Sequence, residues 1–462
     1  MKQFRYFRYL LCVLVVSLLL PNANARADVP SQSNTPNTPI EHFVVLMQEN
    51  HTFDNYFGTY PGADGLSEDI CMPVDPHDPS NTECVEPFHI GDRASEDLDH
   101  SLKTFELQYN DGKMDGFVYA LNERNQNGAL SMAYYDDREL PYYWNLADQY
   151  VLFDKFFTSD HGGSFSNHIW WVAAQRGGTR VLQEGYPDLV TIFDRLEEKG
   201  ISWKFYVQNY DPGINHRTAH MIIGNRASQV IWVPLLNIPR FLDDPELSSH
   251  IVDLNEYYTD LENGTLPAVA YIVPSGASEH PPSSVRSGQK FVKSLIQALI
   301  RSSVWDRSAF LLVYDDWGGW YDHVPPPQVD EFGYGMRVPA IMVSPYAKRG
   351  HIDSTILDFT SILKFIEDNW DLEPLAKRDA NANSLISAFD FSMAPREPVF
   401  TPFERVVMEE RVEPRRYVIY AAYGGAIVLG ILMFIWTAVG SDLRRKLFAY
   451  FRRRIQPEGP LP

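Results

Sequence analysis

An apolar run that ends in polar groups is the feature of this sequence that most constrains the fold. Residues 43–47 are apolar and lead through Gln48 into Glu49 and Asn50. A short apolar run of this kind is typical of a strand that is buried on both faces of a parallel sheet. Glu49 and Asn50 would then lie at the carboxyl end of that strand, where the crevices of α/β proteins form.

A second apolar run repeats this design far downstream. Residues 309–314 lead directly into Asp315 and Asp316. Two acidic strand ends in one sheet would bring together three carboxylates and one amide, which are oxygen ligands suited to a divalent cation. Each pair also has a structural interpretation, because Glu49 and Asn50 can cap a helix and paired aspartates can form a turn. The presence of both pairs favours a metal site.

Short apolar runs alternate with helical patterns through the middle of the chain. The predicted strands beyond the first are residues 151–157, 203–207, 268–273, 310–314 and 340–343. Helices are predicted over 289–301 and 358–369 from apolar residues at helical spacing. This alternation predicts an α/β fold with a central, mostly parallel sheet.

Both ends of the chain carry targeting patterns. Residues 1–27 combine basic residues, an apolar core and small residues at cleavage spacing, which predicts a secretory signal peptide, with an uncleaved signal anchor as the alternative. Residues 417–439 contain no charged residue and are long enough to cross a bilayer, which predicts a transmembrane helix. The basic tail, 440–462, is then cytoplasmic by the positive-inside rule, and the body lies outside the cytoplasm.

Between these ends we expect one large α/β domain at 41–375, preceded by an exposed leader at 28–40. Residues 376–416 are predicted to form a covering segment and a juxtamembrane linker. Cys71 and Cys84 lie in a loop of a protein that is predicted to be exported, so a local disulfide is expected, and the sequence lacks the CxxC pairs of a cysteine metal site. The net charge of −20 makes nucleic acid a poor partner.

A serine that follows two glycines is the candidate nucleophile. Gly162, Gly163 and Ser164 come after the predicted strand 151–157 and before a helical segment. A serine at a helix amino terminus lies where backbone N–H groups attract phosphate. Capping of the helix by Ser164 is an equally good interpretation of the spacing. Asn167, one helical turn later, can point its amide toward the same place.

These segments resemble known signatures. Residues 48–58, QENHTFDNYFG, are similar to the Glu-Asn-Arg-Ser-Phe-Asp-His-Tyr-Phe-Gly signature of the bacterial phosphoesterase family, with His51 at the position of Arg. That family includes phospholipases C and certain acid phosphatases. Residues 315–327 resemble its second signature, and similar blocks place the resemblance over about residues 41–370.

The resemblance implies the alkaline phosphatase-like superfold, a three-layer sandwich, and a single divalent metal ion of open identity. It implies Ser164 as the nucleophile and as one metal ligand. The other implied ligands are the oxygen donors at the two strand ends: Glu49, Asn50, Asp315 and Asp316. His100 and His280 are implied to hold phosphate or to protonate the leaving group, and Asn167 to bind the phosphate.

The expected function is metal-dependent phosphoester hydrolysis outside the cytoplasm, through a phosphoserine intermediate. The substrate is either a phospholipid headgroup or a small phosphomonoester. Ser164 stands where phospholipases of the family carry Thr, which favours the phosphatase branch. The alternatives are a catalytically silent, membrane-tethered binding module and another hydrolase of the superfold, such as a sulfatase or phosphonate hydrolase. The oligomeric state and the roles of His216, His220 and His323 stay open.

Overall fold

The computed structural model describes residues 35–91, 95–177 and 185–403, together with 430, 440, 442–446, 449 and 450. The predicted signal peptide lies outside the described residues, as does all of the predicted transmembrane helix except residue 430. None of the helices within the described ranges combines the length and the apolar character needed to cross a bilayer. The described residues up to 403 belong to one structural unit, and those from 430 onward belong to another.

An eight-stranded sheet lies at the centre of the first unit. In chain order, its strands are β1 (His42–Gln48), β2 (Val151–Phe153), β3 (Trp203–Val207), β4 (Ile251–Asp253), β5 (Val269–Val273), β6 (Ser308–Tyr314), β7 (Ala340–Val343) and β8 (His351–Asp353). Their spatial order is β8-β2-β7-β6-β1-β5-β3-β4. Strand β7 runs antiparallel to both of its neighbours, whereas all other neighbours pair in parallel. The prediction of a mostly parallel sheet is confirmed.

The predicted central strands form, with small differences at their ends. Strands β3 and β7 have the predicted bounds, and β5 begins one residue later than expected. The predicted strand 151–157 is regular only as far as Phe153, after which Phe156 and Phe157 make single bridges. The edge strands β4 and β8 were not predicted, because three residues are too short for a periodic pattern.

Helices pack on both faces of the sheet. Phe205 of β3 contacts Trp171, with ring centroids 5.7 Å apart, whereas its neighbour Tyr206 contacts Tyr257 at 5.6 Å. Successive side chains of a strand point to opposite faces, so the helices that carry Trp171 and Tyr257 lie on opposite sides. The arrangement is therefore three-layered, as expected.

The helices are short apart from two. They are α1 (Phe53–Phe57), α2 (Leu102–Tyr109), α3 (Phe117–Asn122), α4 (Pro141–Gln149), α5 (Ser164–Ala173), α6 (Ile192–Lys199), α7 (Gln229–Trp232), α8 (Arg240–Asp243), α9 (Pro245–Ser248), α10 (Asn255–Asn263), α11 (Val285–Arg301), α12 (Phe359–Trp370) and α13 (Lys377–Ala380). The predicted helices 289–301 and 358–369 correspond to α11 and α12. Asp358 caps α12, and its carboxylate accepts a hydrogen bond from the Thr360 hydroxyl.

A disulfide joins Cys71 to Cys84, which confirms the expected local bridge. Cys71 precedes the two-residue strand Met72–Pro73, and Cys84 begins the strand Cys84–Val85 that pairs with it. A second pair, Phe88–His89 and Ala133–Tyr134, lies nearby in the sequence. Within the predicted covering segment, Leu385 is buried.

A buried arginine ties the segments that follow the central strands. The Arg337 guanidinium is fully buried and donates to Asp322 Oδ1 at 2.8 Å and to Asp54 Oδ1 at 3.0 Å. It also donates to the backbone carbonyls of Asp64 and Asp154 at 2.8 Å. Because Asp54 lies on α1 and Asp322 follows β6, this cation holds both loops that leave the central strands.

Arg337→Met is expected to lower the free energy of unfolding by about 3–5 kcal/mol, because it leaves two buried carboxylates without their cation. Urea unfolding measures this change. Arg217→Met is the matched control, since Arg217 pairs with Asp243 at the surface and should matter little. Equal stability losses in the two variants would contradict the role assigned to Arg337.

Candidate active site

The two central strands bring their polar ends together. In the register of β1 and β6, Gln48 lies opposite Tyr314, so Glu49 and Asp315 come next on adjacent strands. The Asp315 N–H donates to the Gln48 carbonyl at 3.0 Å, and the Glu49 N–H donates to the Ser278 carbonyl at 2.9 Å. Main-chain bonds therefore hold both strand ends side by side.

Each aspartate has one oxygen that is anchored by backbone N–H groups. Asp315 Oδ1 accepts from the N–H of Asn50 at 3.2 Å and from the N–H of Asp316 at 2.7 Å. Asp316 Oδ1 accepts from the Gly318 N–H at 2.8 Å. Gly318 has φ +59°, and a Cβ there would lie 2.3 Å from the Asn50 carbonyl oxygen, so this tight turn requires glycine. The second oxygen of each carboxylate is left for other contacts.

Ser164 meets the free oxygen of Asp316. It is the first residue of α5, and Gly163 occupies the N-cap position. The Ser164 hydroxyl donates to Asp316 Oδ2 at 3.0 Å. Ser164 therefore does not cap the helix, and its hydroxyl lies beside the strand-end carboxylates.

Glu49, His100, Ser164 and His280 line one cavity of about 600 Å³, and Asp97 lies at its wall. The imidazole rings of His100 and His280 lie 6.0 Å apart. The structure thus brings the predicted histidines, the predicted nucleophile and a predicted metal ligand to one place.

Backbone carbonyls orient both histidines. His100 Nδ1 lies 2.7 Å from the Leu98 carbonyl oxygen, and His280 Nδ1 lies 2.7 Å from the Pro281 carbonyl oxygen. These contacts assign a proton to each Nδ1. His100 Nε2 lies 3.2 Å from Asn50 Nδ2, and the unprotonated nitrogen accepts a hydrogen bond from this amide. Burial alone would lower the pKa of His100, but Asp316 and the Leu98 carbonyl raise it above its ordinary value. The neighbouring carboxylate therefore favours the protonated, charged form of His100.

Asn167 occupies a different place from the one expected. It is fully buried, its Nδ2 donates to the Gly162 carbonyl at 2.7 Å, and its Oδ1 accepts from the Asp160 N–H at 3.2 Å. Both ends of the amide therefore bind the backbone of the turn before Ser164. In this structure Asn167 supports that turn instead of facing the cavity.

Negative charge is concentrated at the strand ends. Burial, together with Asp315 and Asp316, raises the pKa of Glu49 well above its ordinary value. Burial and the Asp315 charge raise the pKa of Asp316 to about 6. Burial would also raise the pKa of Asp315, but His168 and Ser164 hold it below its ordinary value. Three buried carboxylates that lie close together repel one another, and a bound cation would reduce this repulsion.

The donor set fits a divalent cation. Asn50 Oδ1 and Asp315 Oδ2 are buried, and neither has a hydrogen-bond partner among the described residues. Buried polar atoms without a partner are rare, and here both are oxygens at the site predicted to bind a metal.

The tightest group of possible metal ligands at the cavity is not the strand-end set. Asp97, His100 and His280 place ligand atoms within 4.8 Å of one another. Within the described part of the chain, Glu49, Asp315 and Asp316 do not form a group this tight, so their oxygens would have to move closer together to hold one cation.

Comparison with known proteins identifies the family. A profile of the Phosphoesterase family matches residues 40–373. The chain belongs to this family. The match covers most of the chain and confirms the resemblance found in the two signatures.

Two relatives illustrate the membership. The chain is 26% identical over 450 residues to the non-hemolytic phospholipase C of Pseudomonas aeruginosa, covering 83% of this chain and 62% of that protein. It is 27% identical over 418 residues to phospholipase C B of Mycobacterium tuberculosis, covering 78% of this chain and 79% of that protein. The chain therefore spans about three fifths of the first relative. Family membership and these relatives support a phosphoric ester hydrolase.

Among solved structures, the chain is similar to a protein of the alkaline phosphatase superfamily from Vibrio parahaemolyticus. The identity is 11% and the TM-score is 0.34, with 75% of this chain and 73% of that chain covered. A likeness at this level carries no argument about function.

One residue beside the site of this Phosphoesterase family member, His168, was not predicted from the sequence. His168 is buried on α5, and its Nε2 lies 3.5 Å from Asp315 Oδ2. It follows Ser164 by four residues, so the two side chains share one helical face. That spacing was the available signal, but a single histidine in an apolar helix is usually only a packed core residue.

The histidines with open roles lie away from the cavity. His323 binds Asp54 Oδ2 through Nδ1 at 2.7 Å and lies in the cluster around Arg337. His216 is buried and its Nδ1 lies 3.0 Å from the Leu236 carbonyl oxygen, whereas His220 is exposed.

A buried carboxyl group lies behind the cavity. Glu279 precedes His280 and accepts hydrogen bonds from three tyrosine hydroxyls: Tyr56 at 2.6 Å, Tyr314 at 2.7 Å, and Tyr143. Burial raises the pKa of Glu279 from 4.5 to about 7, against the effect of these hydroxyls. Tyr56 lies on α1 and Tyr314 ends β6, so Glu279 connects the segment that carries His280 to these two elements.

Stability should fall as the pH rises from about 4.5 to about 7, because the Glu279 carboxyl ionises earlier in the unfolded chain than in the fold. The expected contribution is about 3 kcal/mol. Urea unfolding of the metal-free protein at the two pH values measures it. Glu279→Gln should flatten this part of the profile, and an unchanged slope in the variant would contradict the assignment.

Proposed function

We propose that this protein hydrolyses phosphoesters outside the cytoplasm in two steps, with Ser164 as the nucleophile and a divalent cation as cofactor. The proposal depends on one observation above all. The Ser164 hydroxyl, at the start of a helix and on the wall of a cavity, donates to Asp316 Oδ2 at 3.0 Å. Nucleophile and proton acceptor are thus already in contact.

In the first step, the Ser164 proton passes to Asp316 Oδ2 while Ser164 Oγ attacks phosphorus. Asp316 Oδ2 already accepts the hydrogen bond of the Ser164 hydroxyl, so it is placed to take this proton. The bond from phosphorus to the leaving oxygen breaks, and that oxygen takes a proton from His100 or His280. General acid catalysis of this kind contributes about two to four orders of magnitude. The product is a phosphoserine, which keeps the headgroup when the substrate is a diester.

In the second step, water attacks the phosphorus of phosphoserine. The histidine that gave up its proton takes one from the water, and Asp316 returns its proton to Ser164 Oγ as the bond breaks. Each group thereby regains its starting state. Backbone N–H groups at the start of α5 would favour the negative charge of phosphate oxygens bound beside Ser164.

The residues that would hold the cation are Glu49, Asn50, Asp315 and Asp316, with Ser164 as a further ligand. When bound, a divalent cation lowers the pKa of the serine hydroxyl and stabilises the charge that develops on the phosphate oxygens.

A phospholipase C-like activity is the substrate assignment that the relatives favour, since both are named phospholipases C. The cavity wall includes Ile231, Trp232 and Pro281, which are apolar surfaces suited to an organic ester. The second candidate is an acid phosphatase-like activity on phosphomonoesters, favoured by serine instead of threonine at position 164.

Export and membrane attachment are part of the proposal. The Cys71–Cys84 disulfide is the kind of bond that persists in oxidising compartments. The patterns in residues 1–27 and 417–439 support a signal peptide and a carboxy-terminal anchor. The body is expected at the cell surface or on the periplasmic side. Protease treatment of cells without an outer membrane or cell wall should remove the body and leave the 440–462 tail protected. Protection of the body would contradict this orientation.

A substrate panel tests the function. Phosphatidylcholine, p-nitrophenyl phosphate and bis-p-nitrophenyl phosphate are each assayed with wild type, Ser164→Ala and Asp315→Asn. Turnover of the diesters identifies the phospholipase C-like activity, and turnover of the monoester alone identifies the phosphatase. Failure to hydrolyse any of the three by the metal-loaded wild type would favour a catalytically silent binding module.

A further inference from the structure

His168 carries two buried ring nitrogens, of which Nε2 faces the carboxylate of Asp315. It lies on α5, one helical turn after Ser164, and its side chain is 1% exposed. Neither ring nitrogen has a hydrogen-bond partner among the described residues, and neither does Asp315 Oδ2, the nearest carboxylate oxygen. The ring is held edge-on against Trp171, with centroids 5.6 Å apart. A fixed, buried imidazole therefore faces a fixed, buried carboxylate.

The separation of the two atoms indicates how they are used. His168 Nε2 lies 3.5 Å from Asp315 Oδ2, beyond the usual range of about 2.7–3.2 Å for an N–H···O hydrogen bond. Two ligands of one ion, each bonded at about 2.1 Å and 90–110° apart, lie about 3.0–3.4 Å from each other. The observed separation is thus closer to that of two ligands than to that of a hydrogen-bonded pair.

The anchoring of Asp315 supports the same interpretation. Its Oδ1 is held by the N–H groups of Asn50 and Asp316, which turns Oδ2 toward His168. The hydroxyl of Ser164 lies on the same helical face as His168 and contacts the neighbouring Asp316. Helix α5 would therefore contribute two ligands to the cation, Ser164 and His168.

We infer that His168 is a nitrogen ligand of the same divalent cation, added to the oxygen donors at the strand ends. This inference rests on the cation of the proposed function and narrows its identity. A purely oxygen donor set suits calcium, magnesium or manganese, whereas an imidazole shifts preference toward zinc, iron and other transition metals. The site is therefore assigned to a transition metal of mixed nitrogen and oxygen ligation.

Pulsed electron paramagnetic resonance of the protein loaded with Mn²⁺ or Cu²⁺ tests this directly, because ¹⁴N modulation reports a ligating imidazole. The modulation comes from the bound nitrogen with Mn²⁺ and from the remote ring nitrogen with Cu²⁺. Modulation is expected in wild type and in the double variant His100→Gln/His280→Gln, and should disappear when His168→Gln is added to the double variant. The double variant removes both imidazoles of the Asp97, His100 and His280 group, which could hold an ion of its own. Wild-type protein without ¹⁴N modulation, or modulation that survives in the triple variant, would overturn the inference.

Metal affinity provides a second readout. Titration calorimetry should show that His168→Gln weakens Zn²⁺ binding by more than the 10- to 100-fold that is usual for a residue behind the ligands, with a much smaller effect on Ca²⁺. Circular dichroism melting of metal-free protein checks that the variant folds, and His168→Asn provides a smaller second substitution. Equal losses for Zn²⁺ and Ca²⁺ would contradict nitrogen ligation and indicate that His168 only positions Asp315.

This inference and the proposed function can fail separately. If the protein binds metal and hydrolyses phosphoesters through Ser164 but shows no His168-dependent nitrogen signal, the proposed function stands and His168 is not a metal ligand. A protein whose strand-end carboxylates bind no divalent ion loses both.

Discussion

Ser164→Ala is expected to lower kcat for phosphoester hydrolysis by at least about 10⁴-fold, because it removes the atom that attacks phosphorus. Binding of substrate should survive, since the cavity wall and both histidines remain. Steady-state kinetics with p-nitrophenyl phosphate and phosphatidylcholine measures the loss.

Ser166→Ala is the matched control for this experiment. Ser166 lies two residues further along α5 and donates to Asp160 Oδ2 at 2.6 Å, away from the strand-end carboxylates. Its loss should leave turnover near that of wild type. Similar activity in the two variants would show that the hydroxyl at position 164 is not the nucleophile.

Asp315→Asn is expected to remove the bound divalent ion and to lower turnover by at least about 10³-fold. The amide keeps one oxygen for the N–H groups of Asn50 and Asp316, so the loop should keep its shape. It loses one negative charge from the site, and the Oδ2 position becomes an NH₂ group that cannot ligate a cation. Elemental analysis of the purified protein and kinetics measure the two effects.

Asp243→Asn makes the same chemical change at an exposed ion pair with Arg217. It should retain both metal and activity. Full metal content in Asp315→Asn would contradict the assignment of the strand ends as the metal site.

The sequence predicted the parts of the site that depend on strand ends. Glu49 and Asp315 follow apolar runs that had to be central strands, and parallel neighbours end at the same edge of a sheet. Ser164 was marked by the glycines before it, although whether it caps α5 or faces the carboxylates could be decided only from the contact with Asp316.

The sequence did not predict features that depend on side-chain direction. Asn167 and His168 are neighbours on α5, but they point about 100° apart around the helix axis. One therefore binds the turn at Gly162, and the other faces Asp315. Choosing between them needs the rotation of the helix, which is set by the packing of its own Trp171 against Phe205 and Tyr271 of the sheet.

The central claim is that Ser164 carries the phosphoryl group during turnover. Rapid acid quenching with ³²P-labelled p-nitrophenyl phosphate, followed by peptide mapping, tests it, because phosphoserine survives acid and phosphohistidine does not. We expect label on the peptide that contains Ser164 and none in Ser164→Ala. Turnover without labelled Ser164, or label that is lost in acid, would contradict the account.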